Sequence, residues 1–345
     1  MADDNRGNGA LPYVDWTRLK GAPYLPAGVL ILILSVVAAV FAGSYSLAMA
    51  NPQPHRIPTG VVGSSGHEKL IVGGLEKAVD SQLDLHRYGT RDAAAAAVRQ
   101  QRVFAVIELR GDSAKLWVAS AAGASVARVF EQTGPKVGAA IGVPITVADA
   151  MPLQPTDPQG LALFYVALAS VIIGFVGAIQ LHVHARELKV WERYAATAAY
   201  AILSGITIWA VVDAGLGVVD MPFPESPAII ALTMFAAGMV FSVFNVLIGR
   251  WAILPTWGLM VILGNTSSGG AVAWPLLPGF LAFLGRWLPP GASVSAQRNA
   301  IYFRHHQHAE PLIVLGVWAV VAAVAFAVFS GRESGTDGAD GAPGS

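Results

Sequence analysis

No charged side chain interrupts residues 251–285, which read WAILPTWGLMVILGNTSSGGAVAWPLLPGFLAFLG. This stretch is too long for one membrane-spanning helix, which needs about 20 apolar residues. Pro255, Pro275 and Pro278 break it too often for two complete spans. The pattern predicts a membrane helix over about residues 251–263, followed by a re-entrant segment, residues 264–290, that enters the membrane and returns.

Five further stretches are mostly apolar and lack Asp, Glu, Lys and Arg, each long enough to cross a hydrocarbon layer of roughly 30 Å. Only 13% of the 345 residues are charged, against roughly 25% in soluble domains. The chain is therefore predicted to be an α-helical polytopic membrane protein with six transmembrane helices. The first is too long for a signal peptide and is predicted to be a retained anchor. The five stretches are residues 25–48, 160–181, 194–212, 226–249 and 311–330.

Lys and Arg residues in the short loops predict the orientation, because cytoplasmic loops carry an excess of them. Loop 184–193 contains three, whereas loop 215–225 contains none. A cell (plasma) membrane protein with both termini cytoplasmic is predicted, with residues 1–24, Arg250 and the tail 331–345 inside. The tail is rich in Gly, Asp and Ser and is predicted to be disordered.

The one sizeable polar block, residues 51–159, is predicted to be a small extracytoplasmic α/β domain between helices 1 and 2. A loop of this length is translocated largely regardless of its charge. Apolar runs predict three strands, while capping and periodicity predict two helices. The strands are Leu70–Val72, Val103–Leu109 and Lys115–Val118; the helices are Ala124–Thr133 and an alanine-rich helix that Thr90 caps and that runs through Arg99.

Composition and motifs argue against most enzyme classes. The chain has no cysteine, so thiol catalysis and thiolate metal sites are excluded. It has no phosphate-binding G-x-x-x-x-G-K-[ST] loop, nucleophile elbow or H-E-x-x-H helix. The 22 basic and 22 acidic side chains balance, which removes any charge argument for a nucleic-acid partner. No enzymatic activity, catalytic residue, metal or cofactor is predicted.

The predicted spans contain no Asp, Glu, Lys or Arg, and Asp213 lies just beyond the outer end of the span 194–212. Transport driven by protons usually needs a carboxylate within the membrane, so this pattern disfavours it. Asn245 is predicted to hydrogen-bond a neighbouring helix. A polar cluster just before the last span is interpreted as an interfacial collar, with a zinc site as the alternative. The cluster contains His305, His306, His308 and Glu310.

The re-entrant segment is the richest candidate site. Its glycines allow tight turns, and its polar side chains can satisfy backbone groups where the helix ends. A surface loop is the alternative, but so apolar a sequence disfavours it. The residues predicted to line a pathway are Asn265, Thr266, Ser267, Ser268, Gly269, Gly270, Pro275, Pro278 and Gly279.

The basic loop 185–193 is a second candidate site. It can form a short helix with Leu188 and Trp191 on one face. A docking site for a cytoplasmic partner and an ordinary interfacial turn both explain it, and the sequence does not choose between them. The docking residues would be Arg186, Leu188, Lys189, Trp191 and Arg193.

Local motifs of the chain resemble the YhgE/Pip (phage infection protein) group and the related nitrosoguanidine-resistance membrane proteins, within the ABC transporter type 2 permease superfamily. The motifs are residues 151–160 (MPLQPTDPQG), 265–270 (NTSSGG), 276–280 (LLPGF) and 287–291 (WLPPG). The resemblance implies six spans per protomer, a homodimer or heterodimer, and a separate cytoplasmic ATPase that docks on loop 185–193. It also implies re-entrant hairpins that close the outer mouth, and it leaves the substrate open among lipids, envelope precursors and toxic amphiphiles.

Three functional hypotheses follow from these patterns. The first is a permease component of an export system that has no ATPase of its own and works on a membrane lipid or a similar amphiphile. The second is a non-transporting envelope scaffold or receptor that uses the outer domain. The third and weakest is a metal-dependent membrane enzyme built around the histidine cluster.

Overall fold

A computed structural model describes residues 24–49, 54–185 and 187–336. The chain divides into two compact units, residues 1–43 and residues 44–345. In the first unit the described residues form the beginning of helix α1 (Tyr24–Met49), which has no charged residue. Residues 1–23, predicted to be cytoplasmic, lie outside the described part of the chain.

The polar block folds as an α/β domain with helices on both faces of a five-stranded sheet. The strand order is β2-β1-β3-β4-β5, and all neighbours are parallel except β3 and β4. The strands are β1 (Ile57–Val62), β2 (Leu83–Tyr88), β3 (Ala105–Arg110), β4 (Ser113–Val118) and β5 (Ile145–Asp149). The helices are α2 (Glu68–Val79), α3 (Arg91–Arg99) and α4 (Ala124–Ile141).

The α/β class, two strands and two helices of this domain were predicted correctly. The Thr90 side chain caps α3 by accepting a hydrogen bond from the amide of Ala93 at 3.2 Å. The strand predicted at Leu70–Val72 is wrong, because these residues belong to α2. Ile71, Leu75 and Val79 are buried at helical spacing along one face of that helix. Strands β1, β2 and β5 are not among the predicted elements.

Five helical stretches of the described chain are long and apolar enough to cross a membrane. This finding supports the prediction of a helical membrane protein, while the predicted number of six spans stays a prediction. The stretches are Ala27–Met49, Ala162–His184, Val190–Gly215, Glu225–Thr266 and Glu310–Gly331. They correspond to α1, α5 (Ala162–His184), α6 (Val190–Trp209, continued as a π-helix to Gly215), α7 (Glu225–Ile248) with the residues that follow it, and α12 (Glu310–Thr336).

Helix α7 is the centre of the helical part, because α5, α6 and α12 all pack against it. Glycines allow two of these close contacts. A Cβ atom on Gly174 of α5 would lie 2.6 Å from the carbonyl oxygen of Met234, and one on Gly205 of α6 would lie 2.7 Å from that of Pro227. Small residues at helix crossings let backbones approach in this way.

The 42-residue stretch Glu225–Thr266 is not one straight helix. Gly249 ends α7 with φ +57°, a conformation that glycine adopts without steric cost. The chain continues as a 3-10 turn (Gly249–Ala252), α8 (Ile253–Trp257), a π-helix (Gly258–Leu263) and α9 (Gly264–Thr266). Because α8 packs on α7 and the π-helix packs on α5, residues 249–266 fold back beside α7.

Two short helices, α10 (Gly279–Trp287) and α11 (Pro289–Tyr302), separate this returning segment from α12. The last helix runs to Thr336, so the prediction of disorder from residue 331 onwards is wrong for residues 331–336. Residues 337–345 lie outside the described residues.

Candidate functional site

The polar end of the returning segment is completely enclosed. The side chains of Asn265, Thr266, Ser267 and Ser268 are each at most 3% exposed. As predicted, their hydroxyls satisfy carbonyl groups where the helix ends: Thr266 Oγ1 donates to Ile262 at 2.5 Å, and Ser267 Oγ to Leu263 at 2.6 Å. This enclosure excludes the surface-loop alternative for these four residues.

Asn265 and Gly269 connect this end to other elements. Asn265 Nδ2 donates to the Tyr45 hydroxyl at 2.7 Å, and the buried Asn265 Oδ1 has no partner in the described part of the chain. Gly269 has φ +73°, and its carbonyl oxygen accepts from Arg298 Nη2 at 3.0 Å. The tight turn that the glycines predict is therefore present, with a cation beside it.

Helices α10 and α11 form a hairpin whose tip lies against this polar end. A Cβ atom on Gly285 would lie 1.7 Å from the carbonyl oxygen of Ser267, and one on Gly291 would lie 2.0 Å from that of Gly285. A Cβ atom on Gly264 would likewise lie 2.7 Å from Cγ of the Pro290 ring. Three backbones therefore meet at a point where no side chain fits.

The sequence pattern does not predict α11, because Pro289, Pro290 and Gly291 are typical of a helix end and indicate the end of α10. These prolines instead begin a new helix, where a missing amide and a fixed φ are tolerated. Almost all of α11 is buried, although its sequence is polar. The available signal was the spacing of its small and polar residues, Ser293, Gln297 and Ala300, along one helical face.

The polar side chains of α11 bind α7 and the approach to α12. Ser293 Oγ lies 2.8 Å from Thr233 Oγ1, which donates to it, and Gln297 Nε2 donates to the Ser226 carbonyl at 2.9 Å. Asn299 Nδ2 donates to the carbonyl of His308 at 3.2 Å. Thr233 and Ser226 lie in the first half of α7, so α11 runs beside that half.

Not every predicted pathway residue lies at the buried end. Residues 272–277 pack into the core of the α/β domain, where Leu276 and Leu277 are at most 1% exposed. Ala273 N donates to Ser125 Oγ at 2.8 Å, and the Pro275 carbonyl accepts from His55 N at 2.6 Å. Pro275 therefore contacts the domain, while Pro278 caps α10 and Gly279 is exposed.

A cavity of about 370 Å³ lies between the α/β domain, α10, α11 and the start of α12. Arg102 of the domain, Arg286 of α10 and Arg298 of α11 all line it, together with Glu310. Apolar groups, including Phe104 and Trp274, and uncharged polar side chains such as Gln101 and Ser295 form the rest of its wall. With histidine neutral, these four charged residues give the lining a net charge of +2.

Arg298 is the most enclosed of the three cations and lies outside the five candidate spans. Burial lowers the pKa of its guanidinium from the usual value to about 10, which leaves it protonated at neutral pH. Within the described ranges no carboxylate lies within ion-pair distance of Arg102, Arg286 or Arg298. Glu310 also lines the cavity, but it forms no ion pair with these arginines among the described residues, so positive charge is in excess there.

No protein-family model, curated protein or solved structure matches this chain. The resemblance to the YhgE/Pip group thus stays a prediction, and function must be argued from the site itself.

The basic loop differs from its predicted form. No separate helix forms over residues 187–189, since Lys189 is the residue before α6 and its amide donates to Glu192 Oε2 at 2.8 Å. Trp191, in the first turn of α6, is 65% exposed, whereas Leu188 is half-buried. Arg193 Nη1 lies 2.6 Å from His182 Nδ1 and is already engaged inside the chain. Arg186 lies outside the described residues.

The prediction that Asn245 binds a neighbouring helix is confirmed: its Nδ2 lies 2.8 Å from His182 Nε2. The ends of α5 and α7 and the start of α6 therefore meet at one level.

The histidine cluster does not assemble a metal site. His308 Nε2 lies 2.9 Å from the carbonyl oxygen of Gln100. No three potential ligands come together anywhere in the residues that the structure places. The metal-enzyme hypothesis gains no support from this geometry.

Proposed function

We propose that this chain is the membrane permease component of an export system, without an ATPase of its own, that moves a lipid, envelope precursor or toxic amphiphile. The observation that carries the proposal is the buried polar end of residues 265–268 with the α10–α11 hairpin beside it. Non-helical backbone at membrane depth is tolerated only where protein encloses it or where it lines a polar cavity. Here protein encloses the chain after α9, and Arg298, which lines the cationic cavity, donates a hydrogen bond to it at Gly269.

The proposed topology has six crossings, in which α7 and residues 249–266 cross separately. Both termini, loop 184–193 and Arg250 are cytoplasmic, and the α/β domain lies outside. The meeting of His182, Arg193 and Asn245 supports one shared inner level for three helix ends. The α10–α11 hairpin then enters from the outer side.

Lipid and a second protomer are the proposed partners within the membrane. Phe280, Phe283 and Trp287 form one exposed face of α10, with exposed fractions of 69%, 67% and 51%. Such a face fits acyl chains or an apolar surface of a homodimer or heterodimer, and the aromatic rings suit the interface region of a bilayer.

A separate cytoplasmic ATPase is the proposed source of energy, because the sequence lacks a phosphate-binding loop. Trp191 is the best docking residue that the structure offers, since it is exposed at the proposed inner end of α6. Leu188 and Lys189 flank it. Arg193 has a structural role through His182 and is not part of the proposed contact surface.

The test is affinity purification of the full-length protein from its native membrane in mild detergent, followed by ATP-dependent export in vesicles. We expect an ATPase to co-purify and Trp191→Ala to remove it, because buried aromatic anchors dominate many interfaces. Trp251→Ala is the matched control, because Trp251 is also exposed at the inner turn and should keep the ATPase bound. Transport driven by a pH gradient alone, with no ATPase present, contradicts the proposal.

A non-transporting receptor is the second candidate, and one observation favours it. Residues 272–277 belong to the hydrophobic core of the α/β domain and also connect the buried polar end to α10. A ligand or partner bound to the domain would therefore act directly on the hairpin. Loss of ATPase co-purification in every condition, with the outer domain still binding envelope proteins, would favour this candidate.

A further inference from the structure

We propose that the cavity between the α/β domain and α10–α12 is a binding site for the anionic head group of an amphiphile, held by Arg102, Arg286, Arg298 and Ser295. The inference deepens the proposed function by naming a ligand class. It does not depend on transport, because a receptor could use the same site.

The charge of the cavity carries the first step of the argument. Arg102, Arg286 and Arg298 come from three separate elements and converge on one volume of about 370 Å³. Guanidinium groups bind phosphate and carboxylate through paired hydrogen bonds. Arg298 donates one hydrogen bond to the Gly269 carbonyl. The Arg286 guanidinium lies over the Trp274 ring, 5.1 Å from its centre. Both contacts position a guanidinium without neutralising it.

Ser295 supplies an independent observation. It lies on α11, is 9% exposed and lines the cavity, and its buried Oγ has no hydrogen-bond partner among the described residues. A buried hydroxyl without a partner destabilises the folded state, and native proteins contain few of them. Rotation of the Ser295 side chain towards the cavity would let a bound oxyanion accept the hydrogen bond that Ser295 does not make among the described residues.

The shape and lining favour an amphiphile over a free ion. A volume of about 370 Å³ is near the lower end of the range for small-molecule pockets, roughly 300–1,000 Å³. It exceeds what a bare phosphate fills, while Phe104, Ala273 and Trp274 give part of the wall an apolar surface. A charged head group with the first part of its chain matches both halves of the lining. Glu310, at one side, disfavours a second negative charge on the ligand.

The test is native mass spectrometry of the full-length protein in neutral detergent, titrated with three probes: phosphatidylglycerol, phosphatidylcholine and inorganic phosphate. We expect one phosphatidylglycerol per chain to bind at least tenfold more tightly than phosphatidylcholine. Arg102→Gln and Arg286→Gln should each weaken this binding roughly tenfold, since hydrogen bonds to charged groups contribute about that much. Both side chains are exposed, so these variants should fold.

Arg304→Gln is the matched control for charge, because Arg304 is a nearby exposed cation that does not line the cavity. Ser295→Ala and Ser226→Ala form a second matched pair. Both hydroxyls are buried without partners, but only Ser295 lines the cavity. We expect both variants to leave thermal stability unchanged or raise it, and only Ser295→Ala to weaken phosphatidylglycerol binding.

Equal binding of the two lipids, or equal weakening by Arg304→Gln and Arg286→Gln, would overturn the proposal. Displacement of phosphatidylglycerol by an equal concentration of inorganic phosphate would assign the cavity to a free anion instead of an amphiphile. None of these outcomes bears on ATPase binding at Trp191, so failure of this proposal is distinguishable from failure of the export proposal.

Discussion

At the scale of single residues, two glycines decide whether the α10–α11 hairpin can form. Gly285 and Gly291 lie where a Cβ atom would approach backbone oxygens to 1.7 Å and 2.0 Å. We predict that Gly285→Ala and Gly291→Ala each lower stability by about 1–3 kcal/mol or more, because the contacted atoms are backbone and cannot move aside cheaply. The measurement is the midpoint of thermal unfolding of the purified protein in detergent.

Gly279→Ala is the control for this prediction. Gly279 begins the same helix, yet a Cβ atom there would meet nothing within 4 Å. Its replacement should change stability little. Equal midpoints for Gly279→Ala and Gly285→Ala would show that the three backbones do not meet as described.

The sequence predicts the role of a side chain correctly where its contact is local in sequence or where its chemistry allows only one kind of interaction. Thr90 caps α3 because a hydroxyl at that position has a free amide three residues on. Asn245 was assigned a partner on another helix because an amide within apolar surroundings needs one. The role of Ser295 was not predictable, because it depends on three elements that converge from distant parts of the chain.

At the scale of elements, residues 272–277 show how a segment changes its partner within a few residues. The sequence predicts that all of residues 264–290 are buried in the membrane, yet Leu276 and Leu277 complete the core of the α/β domain. Apolar composition alone cannot distinguish lipid from a protein core as the environment. A short apolar run is also ambiguous between strand and helix. For this reason Leu70–Val72 was predicted to be a strand, although it belongs to helix α2.

We predict that Leu277→Ala destabilises the α/β domain, although Leu277 lies about 130 residues after the last strand. Loss of a fully buried leucine costs roughly 2–5 kcal/mol. Hydrogen exchange of the full-length protein should show lower protection in β1 and α4. Phe280→Ala, three residues later and 69% exposed, should leave that protection unchanged. Lost protection in both variants, or in neither, would contradict the assignment of Leu277 to this core.

At the scale of the whole second unit, residues 44–345, the helical part is arranged around α7, while the cationic cavity lies where the hairpin, the domain and α12 come together. The membrane class can be predicted from composition, because the residues without charge are grouped in long apolar stretches. The number of crossings cannot be predicted from composition. Residues 225–266 are interrupted only at Gly249 and Arg250, and whether the chain turns back there depends on the φ of Gly249.

The number of crossings is open to a direct test. If α7 and residues 249–266 cross separately, five crossings follow the α/β domain, so the domain and the residues after α12 lie on opposite sides. If the stretch crosses once, four crossings follow and both lie on the same side. The chain has no cysteine, so Asp112→Cys and Ser334→Cys can each be labelled without background. Asp112 is a suitable site because its side chain is fully exposed in the turn between β3 and β4.

We predict that an impermeant maleimide added to intact cells labels Asp112→Cys and not Ser334→Cys, and that inverted vesicles give the opposite result. Arg250→Cys should behave as Ser334→Cys does, because both lie inside in the six-crossing arrangement. Labelling of Asp112→Cys and Ser334→Cys from the same side would mean that residues 225–266 cross the membrane once, so that the turn at Gly249 does not separate two crossings. The hairpin would then have to enter from the side opposite the domain, which the contacts of residues 272–277 with the domain core do not allow. If the hairpin is re-entrant as proposed, the packing within the second unit supports the proposed six crossings by an argument that does not use the positive charges.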